Sequence, residues 1–341
     1  MRARELGISL GELEPGPLNA ITDVAGVRVG VTTLIEGDGP LDVGKGPIRT
    51  GVTVVVPPLP AFAAPDRLNG NGEMTGLEWI REAGTLESAI ATTNTHSVGT
   101  VHGALIAHRH RRADAPRWSL PVVAETWDGF LNDINGFHVR EEHVFAALDS
   151  ASDGAVEEGN VGGGTGMICH GFKGGIGTAS RVVDDWAVGV LVQANHGARR
   201  RLTIDGVPVG RELGVDRIPG PTSPDGSVIV LAGTDAPLLP HQCARLARRA
   251  SLGIGRTGGA GETSSGDLVL AFATGNELPS DSVRLVPEER IDRLFHAVIE
   301  ATEEAILNAL LAAETMTGRD DNTVHALDHV LLLEVLRRYG R

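Results

Sequence analysis

The sequence predicts an α/β protein built as a layered sandwich of sheets and helices, and three observations lead there. Short apolar runs of strand length lie between turn residues. Longer segments show helical periodicity. The two kinds come in mixed order with no regular βαβ alternation and no internal repeat, which disfavours a TIM barrel or a doubly wound sheet. The abundance of glycine, 45 residues, against only 4% aromatics implies many tight turns and cores of Val, Leu, Ile and Ala.

In chain order, 51–56 (GVTVVV) reads as a strand, being short, β-branched and flanked by turn formers. Helices are expected over 72–83 and 139–150. The runs 186–193 (WAVGVLVQ) and 227–232 (SVIVLA) read as buried strands, 239–252 as a helix, and 268–273 (LVLAFA) as a further strand. A long helix is expected from 287 to about 315, because Ile291, Leu294, Phe295, Val298, Ala305, Ile306, Ala309 and Leu310 recur near a 3.6-residue period. Pro287 suits its first turn and Gly318 its stop. One segment, 217–226 (RIPGPTSPDG), holds three prolines and two glycines, excludes regular structure, and leads directly into the strand at Ser227.

The chain has 341 residues, 41% of them hydrophobic, enough for a substantial core. A formal net charge of −14 argues against nucleic-acid or anionic membrane partners. The local basic run Arg245, Arg248, Arg249 fits one solvated helix face. Two cysteines, Cys169 and Cys243, make neither a disulfide framework nor a paired zinc motif, so a reducing cytoplasm is the expected setting. There is no stretch of eighteen apolar residues and no signal-peptide pattern, so a soluble, untargeted protein is expected.

Several residues have chemical potential. At Asp225-Gly226-Ser227, Gly226 lacks a Cβ, and attack of Ser227 Oγ on the Gly226 carbonyl would turn the amide into an ester that water then opens. The new α-amino group at Ser227, with an ordinary pKa near about 8, would serve as a base beside its own hydroxyl. Ser265 and Asp267 stand at i and i+2 where a strand opens, so a hydroxyl and a carboxylate share one face, suited to polarising a nucleophile or holding a substrate ammonium. The alternative is a strand-start turn capped by Asp267. Asn195 ends a strand in VQANHG and offers an amide donor to an oxyanion, or satisfies its own turn. The run 159–167 (GNVGGGTGM) lacks the Lys-Ser/Thr of a phosphate loop and reads as close backbone packing. His96, His102, His108 and His110 match no zinc spacing, so no metal is expected. Trp127, in ETWDG, would wall a small pocket or fill a core.

Taken together, seven runs resemble, in order, the DmpA family of L-aminopeptidase/D-amidase/esterases and their β-aminopeptidase relatives. They are PGPLNAITDVAGVRVG, TNTHSVGTV, ETWDGFLNDING, GGGTGMICHGFKGGIGTASR, LVQANHG, GSVIVLAGTDAPLLPHQ and SGDLVLAF. The resemblance implies a four-layer αββα sandwich similar to N-terminal-nucleophile (Ntn) hydrolases, with different strand connectivity. It implies one domain over 1–341, self-cleaved into 1–226 and 227–341. Ser227 falls on the family's nucleophile, Gly226 on the residue before the cut, Ser265 on the assisting hydroxyl, Asp267 on the acid and Asn195 on the oxyanion donor. Trp127 stands where tyrosine is usual, and Asp267 is one methylene shorter than the glutamate of some relatives. Small peptide or amide substrates, a homo-oligomer, often a tetramer, and no cofactor are implied. The competing readings are a self-processing acyltransferase of the ornithine acetyltransferase kind, which uses threonine, and a non-enzymatic protein binding a small ligand at 159–167.

Overall fold

The computed structural model describes residues 1–221 and 226–341. Its elements are β1 (Arg28–Glu36), β2 (Ile48–Val56), β3 (Ala61–Gly70), α1 (Leu77–Ala83), β4 (Thr85–Leu86), β5 (Ile90–Asn94), α2 (Val98–His110), β6 (Val122–Thr126) and α3 (Glu141–Asp149). There follow β7 (Ile168–Cys169), β8 (Phe172–Lys173), β9 (Gly175–Val183), β10 (Trp186–Asn195), α4 (Val209–Glu212), β11 (Ser227–Thr234), α5 (Pro240–Arg256), β12 (Gly266–Ala273) and α6 (Glu288–Ala312). The chain closes with β13 (Met316–Thr317), β14 (Thr323–Val324) and α7 (His329–Arg338).

One sheet has the order β1-β2-β5-β6 and the other β4-β3-β12-β11-β10-β9. Their facing sides make one core, with Val55, Ile90 and Val122 against Leu191, Ile229, Leu231 and Leu270. Helices α2 and α3 cover the outside of the first sheet through Val101, Leu105 and Val144 on Val52, Val54 and Val123. Helices α5 and α6 cover the outside of the second through Leu246, Leu294, Val298 and Ile306 on Val190, Val228, Val230 and Val269. The layers are therefore α, β, β, α, as expected. Because β11 is buried on both faces, with Val228 and Val230 turned to the helices and Ile229 and Leu231 to the other sheet, it reads as an unbroken apolar run.

Differences from the sequence reading lie at element ends, in strands of mixed polarity, and at helices α2 and α7, where no helix is expected. The first helix begins at Leu77 rather than 72, because Gly76 takes φ +76° immediately before it. The long helix ends at Ala312; Gly318 lies beyond it, between β13 and β14. The strands at 48–56, 186–195, 227–234 and 266–273 each extend beyond the expected apolar run. Arg245 and Arg249 are not simply solvated: both guanidinium groups lie over the Phe295 ring, at 5.1 and 4.0 Å, joining α5 to α6. The segment 222–225, with Asp225 of the Asp-Gly-Ser junction, lies outside the described residues.

Helix α6 is buried beyond its apolar stripe. Glu300, Glu304 and Asn308, spaced i, i+4, i+8, form a second, polar stripe that is also covered. Arg181 of β9 donates to Glu300 at 3.0 Å and to Glu304 at 2.7 Å, with its side chain fully enclosed. The N-terminal segment closes over the same stripe: the Ala3 N–H donates to Asn308 Oδ1 at 2.9 Å and Arg4 pairs with Glu304 at 3.1 Å. Removing the arginine leaves the buried Glu300 without a cation and Glu304 with Arg4 alone. Arg181→Met is expected to lower the unfolding free energy by about 3–5 kcal/mol, measured by urea denaturation of the variant and the parent protein.

Candidate active site

Four strand ends meet at one edge of the sandwich. β11 runs parallel to β12, with Val228 opposite Asp267, and antiparallel to β10, with Ser227 opposite Asn195. The start of β11, the start of β12 and the end of β10 are thus neighbours. The end of β6, from the other sheet, completes the edge through Glu125 and Trp127.

Ser227 is buried, and its Oγ accepts the Gly266 N–H at 3.0 Å. Beside it, Ser265 Oγ donates to Asp267 Oδ1 at 2.6 Å, so the hydroxyl and carboxylate meet as their i, i+2 spacing demands. Burial lifts the Asp267 carboxyl to about 6, opposed by the Ser265 hydroxyl and the Val228 N–H. The stretch before β12 is pinned from β3: Asn69 Nδ2 donates to the Ser265 carbonyl, and at 2.9 Å to that of Glu262. Gly226 lies so close to β10 that a Cβ would run into the Asn195 carbonyl oxygen; only glycine fits before the serine.

Asn195 is held at both ends of its amide. Its Oδ1 accepts the Ile168 N–H at 2.7 Å and its Nδ2 donates to the Trp127 carbonyl at 3.0 Å, which leaves one Nδ2 hydrogen for another acceptor. The Trp127 indole is half exposed at the rim, as is Phe137, which stacks on His96 at 6.1 Å. The 159–167 run packs backbone against backbone. A Cβ on Gly163 would come within 2.6 Å of the Thr92 carbonyl oxygen.

Two polar groups here escaped the sequence reading. Glu125, at the end of β6, is buried and accepts the Glu73 N–H at 3.0 Å and the Thr95 hydroxyl. Burial raises its pKa, and it lies near Gly266: a Cβ on Gly72 would stand 3.0 Å from Gly266 Cα and 3.2 Å from Glu125 Oε1. It lies in the ETWDG run, but its partners, Glu73 and Thr95, come from distant parts of the chain. Lys173 is the other, a fully buried lysine that burial draws down to about 7.

The four histidines of 96–110 do not gather: His96 lies on Phe137 and His108 faces Asp149 at 3.7 Å. Among the described residues, Cys169, His170 and His196 are the one group of possible metal ligands, behind Asn195, with Sγ 3.8 Å from His196 Nδ1. Burial pushes the thiol to about 12 and His170 down to about 4. Lys173 and Arg199 flank these residues, Arg199 Nε donating to the His170 carbonyl at 2.9 Å. Burial thus holds the thiol protonated and His170 neutral, and the cluster reads as packing.

Residues 19–324 match the family model described as Peptidase family S58. The chain belongs to this family. It is 47% identical to the beta-peptidyl aminopeptidase BapA of Sphingosinicella microcystinivorans, covering 100% of this chain and 93% of that protein. The BapA of Sphingosinicella xenopeptidilytica is 45% identical over 98% of this chain and 91% of its own length. Among solved structures, a Burkholderia sp. beta-aminopeptidase superposes with a TM-score of 0.93 at 51% identity, covering 100% of this chain and 99% of that one. The L-aminopeptidase D-Ala-esterase/amidase of Ochrobactrum anthropi, described as a prototype of the serine aminopeptidases and a new variant of the Ntn hydrolase fold, superposes with 0.90 at 46% identity, with the same coverage. The chain is accordingly a serine aminopeptidase of the Ntn type.

Asp267 loses its acceptor role when protonated, so kcat/KM on a free-amine substrate should fall as pH drops through about 6. Asp267→Asn should remove the component of the acid limb near 6 and lower the plateau rate about 100-fold or more; pH–rate profiles of both enzymes check it.

Proposed function

We propose that the chain cuts its own backbone between Gly226 and Ser227, giving 1–226 and 227–341, and then removes N-terminal residues from short peptides, amides or esters with Ser227 as nucleophile. The observation that supports it best is the placement of Ser227 Oγ on the Gly266 N–H beside the Ser265–Asp267 pair, behind a glycine that packs on Asn195.

In the first reaction Ser227 Oγ attacks the Gly226 carbonyl, the C–N bond breaks as the nitrogen takes the proton, and water hydrolyses the resulting ester. The freed α-amine then accepts the Oγ proton as Ser227 attacks a substrate carbonyl. The Nδ2 hydrogen of Asn195 stabilises the oxyanion, and the leaving amine departs with the proton. Water then releases the acyl group. The Ser265–Asp267 pair supports proton transfer at this centre. Two buried carboxylates, Asp267 and Glu125, are positioned to receive the substrate ammonium, one from each sheet.

The half-exposed Trp127 walls the mouth. β-Aminoacyl substrates are the first to test, since the two BapA relatives and the Burkholderia protein are all named for that activity, with L- and D-aminoacyl substrates beside them. No helix among the described residues is long and apolar enough to cross a membrane. A cytoplasmic homo-oligomer, a tetramer, is the proposed working form, and the two buried free thiols suit a reducing compartment. Membership of S58 sets aside the ligand-binding reading, and serine rather than threonine at 227 sets aside the acyltransferase.

Purified protein is expected to contain a chain whose N-terminal residue is Ser227, read by intact mass and Edman degradation; a cut elsewhere refutes the proposal. Ser227→Ala should run as one uncut, inactive chain, whereas Ser227→Cys retains a nucleophile and should still cut. A panel of L-, D- and β-aminoacyl p-nitroanilides then ranks the substrates.

A further inference from the structure

Lys173 is a buried charge for which the reaction above has no use. It ends the short hairpin β7–β8, where it pairs with Ile168, and its backbone N–H donates to the His325 carbonyl at 2.8 Å. Its ammonium meets three backbone carbonyls of one loop: Met167 at 2.8 Å, Gly174 at 2.9 Å and Gly164 at 3.4 Å. Three acceptors match the three hydrogens of –NH3⁺. A buried lysine is costly, and apolar side chains of similar length would fill the space. What the ammonium adds is the geometry of residues 164–174.

That geometry ends on the reacting centre. The Met167 carbonyl and the Ile168 N–H belong to the same peptide group, so fixing one fixes the direction of the other. The same carbonyl also accepts the Gly174 N–H at 2.9 Å, a second tie on that peptide. Ile168 N–H donates to Asn195 Oδ1, which turns the Asn195 Nδ2 toward the edge where Ser227 lies. A rotated 167–168 peptide would present an oxygen to Oδ1 and drive the carboxamide over.

We propose that Lys173 is a positioning residue for hydrolysis: by fixing the carbonyls of Gly164, Met167 and Gly174 it locks the Met167–Ile168 peptide, and through it the orientation of the Asn195 amide. The link rests on the reading of Asn195 as the oxyanion donor. It requires that Lys173 act on turnover rather than on substrate affinity, and only through Asn195.

A double-mutant cycle tests this, with rates normalised to the processed fraction seen by denaturing electrophoresis. Asn195→Ala should lower kcat about 100-fold, the usual cost of an oxyanion donor. Lys173→Met should lower kcat about tenfold or more with KM within about twofold, and in the Asn195→Ala background should change kcat by less than about twofold. Lys173→Gln keeps two donors and should fall between lysine and methionine; it replaces Lys173→Met in the cycle if the latter does not reach the processed form. An unchanged kcat, a loss confined to KM, or equal losses in both backgrounds would overturn the role of Lys173. An Asn195→Ala enzyme with wild-type kcat would instead overturn the oxyanion reading itself.

Discussion

The parallel pairing of β11 with β12 is the constraint on which the rest of the site depends. A parallel pair needs a crossover, and α5 supplies it while covering the sheet. Both strands are buried on both faces, so a slip of one residue would exchange the side chains facing α5 and α6 with those facing the other sheet. The register that avoids this sets Val228 opposite Asp267. It thereby puts Ser227 beside Gly266, between the hydroxyl and the carboxylate that flank that glycine. The chemistry is thus a by-product of where two apolar strands must start.

The opposing sheet contributes differently. β6 delivers Glu125 and the Trp127 carbonyl to the same edge, so one sheet brings Ser227 and the Asp267 carboxylate, the other a second carboxylate and an acceptor for Asn195. Burial raises both carboxyls, Asp267 to about 6, so the low-dielectric edge disfavours a bare negative charge on either. The site is assembled only when both sheets are docked, because neither sheet holds all of these groups.

The layered α/β class and the strands β10, β11 and β12 were legible because these strands are apolar on both faces and α5 and α6 are periodic. The half-exposed β1 (RVGVTTLIE) was not, since its residues mix core and solvent positions, nor was β9 (GIGTASRVV), which is almost wholly buried but mixes glycine, Thr, Ser and Arg among its apolar residues. Helix α2 (VGTVHGALIAHRH) was not legible because glycines, histidines and an arginine interrupt its apolar face, which buries only Val101, Ala104 and Leu105. In the site, Ser265 and Asp267 could be paired from spacing alone, as i and i+2 of one strand. Glu125 and Lys173 could not be read this way: their partners lie on other elements, and a lysine that serves only backbone carbonyls leaves no pattern in side-chain chemistry.

The place where β11 begins has a consequence for how this protein keeps its shape. Severed there, the chain leaves the first sheet with β3, β9 and β10 in one piece, and the middle of the second sheet with α5 and α6 in the other. Neither piece can finish the second sheet, and the buried Arg181 of one needs the carboxylates of the other. Under the proposed cut, the intact chain must therefore reach its fold first. Afterwards refolding becomes a meeting of two molecules and depends on their concentration. The mature protein would then hold its structure by the height of the barrier to leaving it, having given up the short intramolecular route by which it arrived.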